Sequence, residues 1–429
     1  MIEIRKVELP DMLACREARA VRQRQLIEEY KKPVVSLSMN IAGDVKNTSA
    51  ISMLQKDGEE DFKAAATKAG LTLLFEERSD AFTGPESLLV FDTDNAQALK
   101  NIGVAIEDET PWGRLYDVDV IGTDSGKLSR PEPRRCIVCG GPAADCARSR
   151  AHGLDQIRRA ADELIGQYLG DTLGTAAASA LVREAALTPK PGLVDAANNG
   201  AHKDMDLDLL LTSASSIRPF FAQMAGFSTA YGTDIETLIK IGKSAEKAMF
   251  AATKGVNAHK GAIFAFSLYL AAVADALMRG GDPVEKVKEL AAEKVANARP
   301  SAPTHGDAVR AVYAGFGREG ALAEACKGFP MALLAMQTIR ETGDDLLALC
   351  KVMSQLADSN VLYRSGVKGL NWVRSEAARL CAMDEVERNA GLRVMDAACI
   401  ARNISPGGAA DMLALGMFLA DLPAELFQS

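Results

Sequence analysis

The chain has 429 residues, 48% apolar and 25% charged, an ordinary globular composition with enough apolar mass for two cores. A net charge of −8 argues against nucleic acid as the main partner, because that binding needs a basic face to neutralise phosphates. Charges in the opening Met-Ile-Glu-Ile-Arg-Lys exclude a secretion signal there, and the longest apolar run, 263–278, carries Asp275. A cytoplasmic protein with reduced cysteines and no membrane partner is therefore expected.

The first 150 residues have a mixed pattern. A helix is predicted over 12–30, with Arg16, Arg19 and Arg22 along one face. Strands follow at 34–41, 71–76, 87–92 and 115–121, with a helix at 57–69, so this part reads as α+β or α/β. In the last strand Asp117 and Asp119 project from one face, and Tyr116, Val118 and Val120 from the other. From about residue 154 the periodicity is helical, with predicted segments at 155–186, 207–225, 234–252, 260–279, 283–297, 308–325, 330–341, 344–358, 367–382 and 409–421. The second part is accordingly all-α, joined to the first by a helix near 155–172.

Two carboxylates on one strand face, Asp117 and Asp119, suit a hard cation such as Mg²⁺ bridging phosphates; the alternative is a solvated strand face. Cys136, Cys139, Cys146 and His152 have the types and spacing of a zinc knuckle, with Gly140 and Gly141 for the turn; the alternative is a thiol segment whose Arg148 and Arg150 matter more. The stretch Gly122–Lys127 is one residue short of a phosphate loop and is read as a turn. Asp204-Met-Asp-Leu-Asp208 lacks the glycine of a calcium loop. Seven arginines lie between Arg130 and Arg159, a basic patch for phosphates or an acidic protein.

In the helical part, polar clusters occur at Thr188–Asp195, Asn199–Asp206, Gly255–Gly261, Pro303–Asp307 and Asp358–Arg364. A further one, Ser405-Pro-Gly-Gly, reads as a helix start with Ser405 as cap and Pro406 in the first turn, whose amides at Gly407 and Gly408 suit an anion such as triphosphate. All four histidines, His152, His202, His259 and His305, fall in polar, glycine-punctuated segments.

Arg16-Glu-Ala-Arg-Ala-Val-Arg-Gln23, Asn40–Lys46, Gly113–Asp119, Pro133–Cys139 and Cys146–His152 resemble the citrate lyase holo-acyl-carrier-protein synthase family, also called apo-citrate lyase phosphoribosyl-dephospho-CoA transferase. The clusters around Pro189, His202, His259, Asp358 and Ser405 resemble the triphosphoribosyl-dephospho-CoA synthase family. The chain therefore resembles a fusion, with a nucleotidyltransferase-like α+β domain at 1–165 and an all-α synthase domain at 166–429.

That resemblance implies two consecutive reactions. ATP and 3′-dephospho-CoA give 2′-(5″-triphosphoribosyl)-3′-dephospho-CoA and adenine; this product is then attached to a serine of the apo-citrate lyase acyl carrier protein, with release of diphosphate. It implies Mg²⁺ on Asp117 and Asp119, with Arg19, Arg22, Lys46 and Arg114 around the phosphates. It places Lys190, Lys203 and Lys260 on the triphosphate and gives His202 and His259 proton transfer or orientation. Asp204, Asp358 and Asp411 would bind metal or activate the hydroxyl, and Asn360, Ser405, Gly407 and Gly408 would contact substrate. The chain departs from the synthase pattern at Ala196, Ala258, Leu322, Ser365 and Ala409, where that family has Arg, Thr, Arg, Gly and Ser; two charge-assisted bonds to phosphate are thereby lost.

Three other readings compete. The same chemistry serves malonate decarboxylase; a non-catalytic carrier-protein adaptor would only bind nucleotide; a zinc-knuckle RNA binder is disfavoured by the acidic charge and few aromatics.

Overall fold

The computed structural model describes residues 2–296 and 320–427. Contacts divide the chain into two units: Met1–Leu169 with Gly226–Gly232 and Ala274–Gly281, and Gly170–Ala225 with Thr233–Val273 and Asp282–Ser429. Pro303–Asp307, with His305, and most of the segment 308–325 lie outside the described residues.

The first unit is built on a four-stranded sheet in the order β2-β3-β1-β4, with β1 Val34–Met39, β2 Leu73–Ser79, β3 Glu86–Phe91 and β4 Tyr116–Ile121. All neighbouring pairs are antiparallel, which excludes the parallel α/β alternative and leaves α+β. Helices α1 Leu9–Tyr30, α2 Ser49–Lys68 and α3 Ala96–Glu109 surround it. One sheet face packs on α2 and α3: Tyr116 donates to Leu54 O at 3.1 Å, and Gly58 and Gly103 leave room for Tyr116 and Val118. The other face is apolar at one end only, where Val34, Leu88, Val90 and Ile121 meet Leu26 and Ile27 of α1.

Helix α2 begins at Ser49, earlier than the periodicity suggests, because the Thr48 side chain accepts from Ile51 N and caps it. Helix α3 was not foreseen; its Asn95 cap is the local signal. The turn read at Gly122–Lys127 is present, closed by Gly122 N to Gly126 O at 2.8 Å.

Among the described residues after Ile121, every regular element is helical. They are α4 Ala143–Ser149, α5 Leu154–Ala186, α6 Leu207–Tyr231, α7 Ile235–Ala252, α8 Lys260–Arg279 and α9 Pro283–Ala296. From residue 320 onward come α10 Gly320–Cys326, α11 Pro330–Thr342, α12 Asp345–Gln355, α13 Ser359–Cys381, α14 Glu385–Ala401 and α15 Gly407–Ala420. Helix α8 is long and apolar enough to cross a membrane, yet most of its length is buried in the protein, as a core helix would be. In α13 the non-helical Gly366, with φ of 64°, separates a short first segment from the predicted 367–382 stretch.

Candidate active sites

On β4 the alternation positions the carboxylates as expected: Asp117 and Asp119 are partly accessible, while Tyr116, Val118 and Val120 are buried. Directly paired residues share a sheet face, so the register sets Asp117, Ser38 and Glu86 in one row and Asp119, Ser36 and Leu88 in the next. Glu86 is a third carboxylate on this face that sequence reasoning missed, because only the pairing reveals it. Each acid has a cation. Arg134 reaches Asp117 at 3.1 Å, Lys127 reaches Asp119 at 2.6 Å, and Arg19 meets Glu86 at 2.5 Å.

Arg134, also missed, is the best anchored of these. It donates to Tyr116 O at 2.7 Å and pairs with the buried Glu107, which in turn accepts from Val118 N. Arg114 packs beside it and donates from Nε to Arg135 O at 2.8 Å. Arg22 is not brought to the β4 carboxylates: it pairs with Glu77 on β2, the opposite sheet edge, three strands or roughly 14 Å away at the usual strand spacing. Lys46 lies in the loop after β1, donating to Ile41 O at 2.6 Å. Its pKa is lowered by burial and by Arg16 and Arg158, a local excess of positive charge suited to an anion.

Cys136, Cys139, Cys146 and His152 form a cluster whose four donor atoms lie within 4.8 Å of one another.

In the second unit, three helix N-termini are tied together by acidic side chains. Asp358 caps α13 through Oδ1, which accepts from Asn360 N at 2.8 Å and Val361 N at 3.2 Å; its Oδ2 accepts from Ala409 N of α15 at 2.9 Å. Burial raises its pKa despite these amides. Asp411, one turn into α15, lies against the start of α8, where a Cβ on Gly261 would overlap its Oδ2. It is closely surrounded by protein atoms yet remains partly accessible. Burial raises its pKa well above the usual value, and the Glu184 and Asp358 carboxylates add to this.

Behind it, Lys190 is fully buried and donates to Glu184 at 2.6 Å. Beside Lys190, buried His259 shares a 2.7 Å hydrogen bond between Nδ1 and Ser213 Oγ. Burial first, then the Lys190 charge, lower the His259 pKa to about 4. Asp195 holds the intervening loop by accepting from the amides of Lys190, Ala197 and Asn198. Glu184, Ser213 and Asp195 were not singled out from the sequence as site residues.

A second histidine lies near the start of α15. His202 Nε2 is 2.7 Å from Ser405 Oγ, and Arg364 approaches its Nδ1 at 3.4 Å. Its pKa is lowered by burial and by Arg364, with Asp204 opposing. Ser405 is therefore not the helix cap: Pro406 occupies that position with no capping bond, and Asp358 satisfies the Ala409 amide instead. Asn360 lies beside Gly407 and Asp358 beside Gly408, where a side chain at either glycine would crowd them.

The remaining predicted residues stand apart. Lys203 and Asp204 are exposed, Asp204 being 3.9 Å from His202, and Lys260 points to Glu246 at 3.1 Å.

The apo-citrate lyase phosphoribosyl-dephospho-CoA transferase family model, CitX, matches residues 7–168, and the ATP:dephospho-CoA triphosphoribosyl transferase model, CitG, matches 170–427. "Protein CitXG" of Haemophilus influenzae is 34% identical over 96% of both chains. The chain belongs to the CitXG family. A second "Protein CitXG", from Leuconostoc mesenteroides subsp. cremoris, is 29% identical over 98% of both chains. The "2-(5''-triphosphoribosyl)-3'-dephosphocoenzyme-A synthase" of Haemophilus ducreyi is 35% identical over 66% of this chain and 99% of its own.

The departures within the CitG part have local settings. Ala258 packs against the apolar cluster of Ala185, Val194 and Leu210. Ala409 is buried at the Asp358 cap, Ser365 Oγ returns to Val361 O at 2.9 Å, and Ala196 is exposed.

Proposed function

We propose that the chain is a bifunctional transferase that makes and attaches the citrate lyase prosthetic group, with a nucleotidyltransferase-like CitX domain at 1–165 and a CitG synthase domain at 166–429. The observation that carries this is one continuous chain whose two parts match the two families in order. Two separate carboxylate clusters, each with its own cations, support a pair of polyphosphate reactions, which would take place in the cytoplasm.

In the CitG part, the 2′-hydroxyl of 3′-dephospho-CoA attacks C1′ of the ATP ribose, the bond to adenine breaks, and adenine leaves with a proton. Positive charge builds on the ribose as adenine departs, so carboxylates near C1′ stabilise the transition state. Asp411 takes this place, since it is closely surrounded yet partly accessible; burial, Glu184 and Asp358 disfavour its charge in the protein alone, and the positive charge developing on the ribose would restore it. Asp358 acts through the backbone: both its oxygens are engaged by amides, so it fixes the α13 and α15 N-termini. Three such N-termini favour the triphosphate, with Gly407, Gly408 and Asn360 beside it and Mg²⁺ to offset the carboxylates. Lys190, Glu184, His259 and Ser213 hold the floor. Arg364 and His202, with Ser405, orient substrate at the rim, while Lys203, Lys260 and Asp204 steer it from outside.

In the CitX part, the carrier serine attacks the α-phosphorus of the triphosphate arm and diphosphate leaves. Asp117 and Asp119, partly accessible oxygen donors on one sheet face, fit Mg²⁺, which would draw charge from the leaving diphosphate. Arg134, Lys127, Arg114 and Arg19 neutralise phosphate nearby, and Lys46 with Arg16 and Arg158 forms a second basic group. The exposed Arg148, Arg150 and Arg159 offer a docking face to an acidic acyl carrier protein.

The test is incubation of the full chain with ATP, Mg²⁺, 3′-dephospho-CoA and apo-acyl carrier protein. Adenine release and a carrier-protein mass increase equal to the phosphoribosyl-dephospho-CoA group are expected. No adenine would refute the synthase assignment, and adenine without the mass increase would refute the transferase assignment.

A further inference from the structure

We infer that Cys136, Cys139, Cys146 and His152 bind a structural zinc ion that locks Arg134 onto Asp117; the second half of this inference rests on the reading of Asp117 as part of the transferase site. The four donor atoms are mutually within 4.8 Å. Zinc–sulfur bonds of about 2.3 Å in a tetrahedron put sulfurs roughly 3.8 Å apart, and Cys139 Sγ lies 3.5 Å from Cys146 Sγ. That separation is too long for a disulfide at about 2.05 Å, and protein atoms supply all four ligands of a closed site. With no position left for water or substrate, the role is structural.

The backbone is built for this cluster. Cys136 N donates to Gly141 O at 2.6 Å and Gly140 N to Cys136 O at 2.9 Å, closing a knuckle with Gly140 at φ of 72°. Val138 N points at Cys136 Sγ at 3.4 Å, a bond that favours a thiolate and orients a ligand. Helix α4 carries Cys146, and a left-handed Arg150 with Ala151 N donating to Cys146 O turns the chain to bring in His152. The Nε2 of His152 is buried without a hydrogen-bond partner, a cost that metal coordination of the ring would offset.

Charge and packing agree. Three thiolates and a neutral imidazole leave a zinc site with one net negative charge, and Arg134, Arg135, Arg148 and Arg150 flank it in sequence. Helix α4 buries no residue, so this segment has no apolar core of its own; metal binding then supplies its folding energy. Arg134 is two residues before Cys136 and bridges Tyr116 O, Glu107 and Asp117, while Arg135 O accepts from Arg114. Releasing the knuckle releases both arginines.

The experiment is metal analysis of the full chain purified without chelator, beside Cys139→Ser, His152→Ala and His152→Cys. One zinc per chain is expected, lost in Cys139→Ser and His152→Ala and kept in His152→Cys, where a thiolate replaces the imidazole. The zinc-free variants should label apo-carrier protein from preformed triphosphoribosyl-dephospho-CoA roughly tenfold more slowly or worse, with adenine release unchanged as the measure of folding. Absence of zinc from the wild type, or its retention in Cys139→Ser, overturns the site. Zinc lost with labelling unchanged overturns the link to Arg134. Zinc present in a wild-type protein that labels nothing leaves the site standing and sinks the transferase reading.

Discussion

Asp411 of α15 rests against Gly261 in the first turn of α8, with no space for a methyl group between them. Alanine is the better helix former by about 1 kcal/mol, so Gly261→Ala should not weaken α8 itself. It must instead push the Asp411 carboxylate aside or part the two helix starts. A displacement of about 1 Å at a reacting centre costs on the order of a hundredfold. Adenine release by Gly261→Ala is expected to fall by about that factor, with labelling from preformed intermediate at the wild-type rate. Wild-type adenine release would remove Asp411 from the site.

Asp117→Asn and Asp119→Asn keep shape and remove charge. Each should lower carrier-protein labelling about a hundredfold or more, as expected when a charge-stabilising group is lost from a transition state, and leave adenine release intact. Labelling at the wild-type rate, read by mass spectrometry, would place the metal elsewhere. Arg134→Gln should act in the same direction, because Asp117 then loses the cation held 3.1 Å away.

What the sequence made visible was what is periodic or locally spaced. The alternation at Tyr116–Ile121 correctly separated two carboxylates from three buried neighbours, and the Cys/His spacing marked four groups that do converge. Partners distant along the chain stayed hidden. Glu86 joins the Asp117 row only through β1, and Asp358 caps a helix whose amide lies 51 residues later. Glu184 lies on a long helix with no local signal of its partner, and only burial pairs it with Lys190. The missed helix α14 was a different failure. Asp384 accepts from Glu387 N at 2.9 Å, and this Asp followed by Glu three residues on is a local start signal that weak apolar periodicity obscured.

The Lys190–Glu184 pair sits out of reach of water, with side chains 1% and 7% exposed. Breaking such a pair from one side strands the other charge, at a cost of about 3–5 kcal/mol. Glu184→Gln should therefore destabilise the second unit by about that much in urea unfolding. Replacing both, Glu184→Gln with Lys190→Met, should recover part of the loss. A double variant less stable than the sum of the two single changes would show that the pair is not isolated from its surroundings.

His259 gives the chain a pH dependence of known sign. Its pKa is about 4 in the folded protein and about 6.5 when unfolded, so the unfolded chain takes up a proton that the native state refuses. The stability this contributes is fully present above pH 6.5 and is lost as pH falls toward 4; about 2 kcal/mol should disappear between roughly pH 7.5 and 5. Asp411 and Asp358 have raised pKa values and act in the opposite sense, while His202 is lowered and acts with His259. The contribution is therefore read as the difference between wild type and His259→Gln, which removes the titrating ring while leaving those other groups in place. Unfolding curves across this range should show the wild type losing stability faster than the variant as acid is added. Parallel profiles would mean that His259 accepts a proton in the folded state, and that Lys190 does not lie close enough to oppose it.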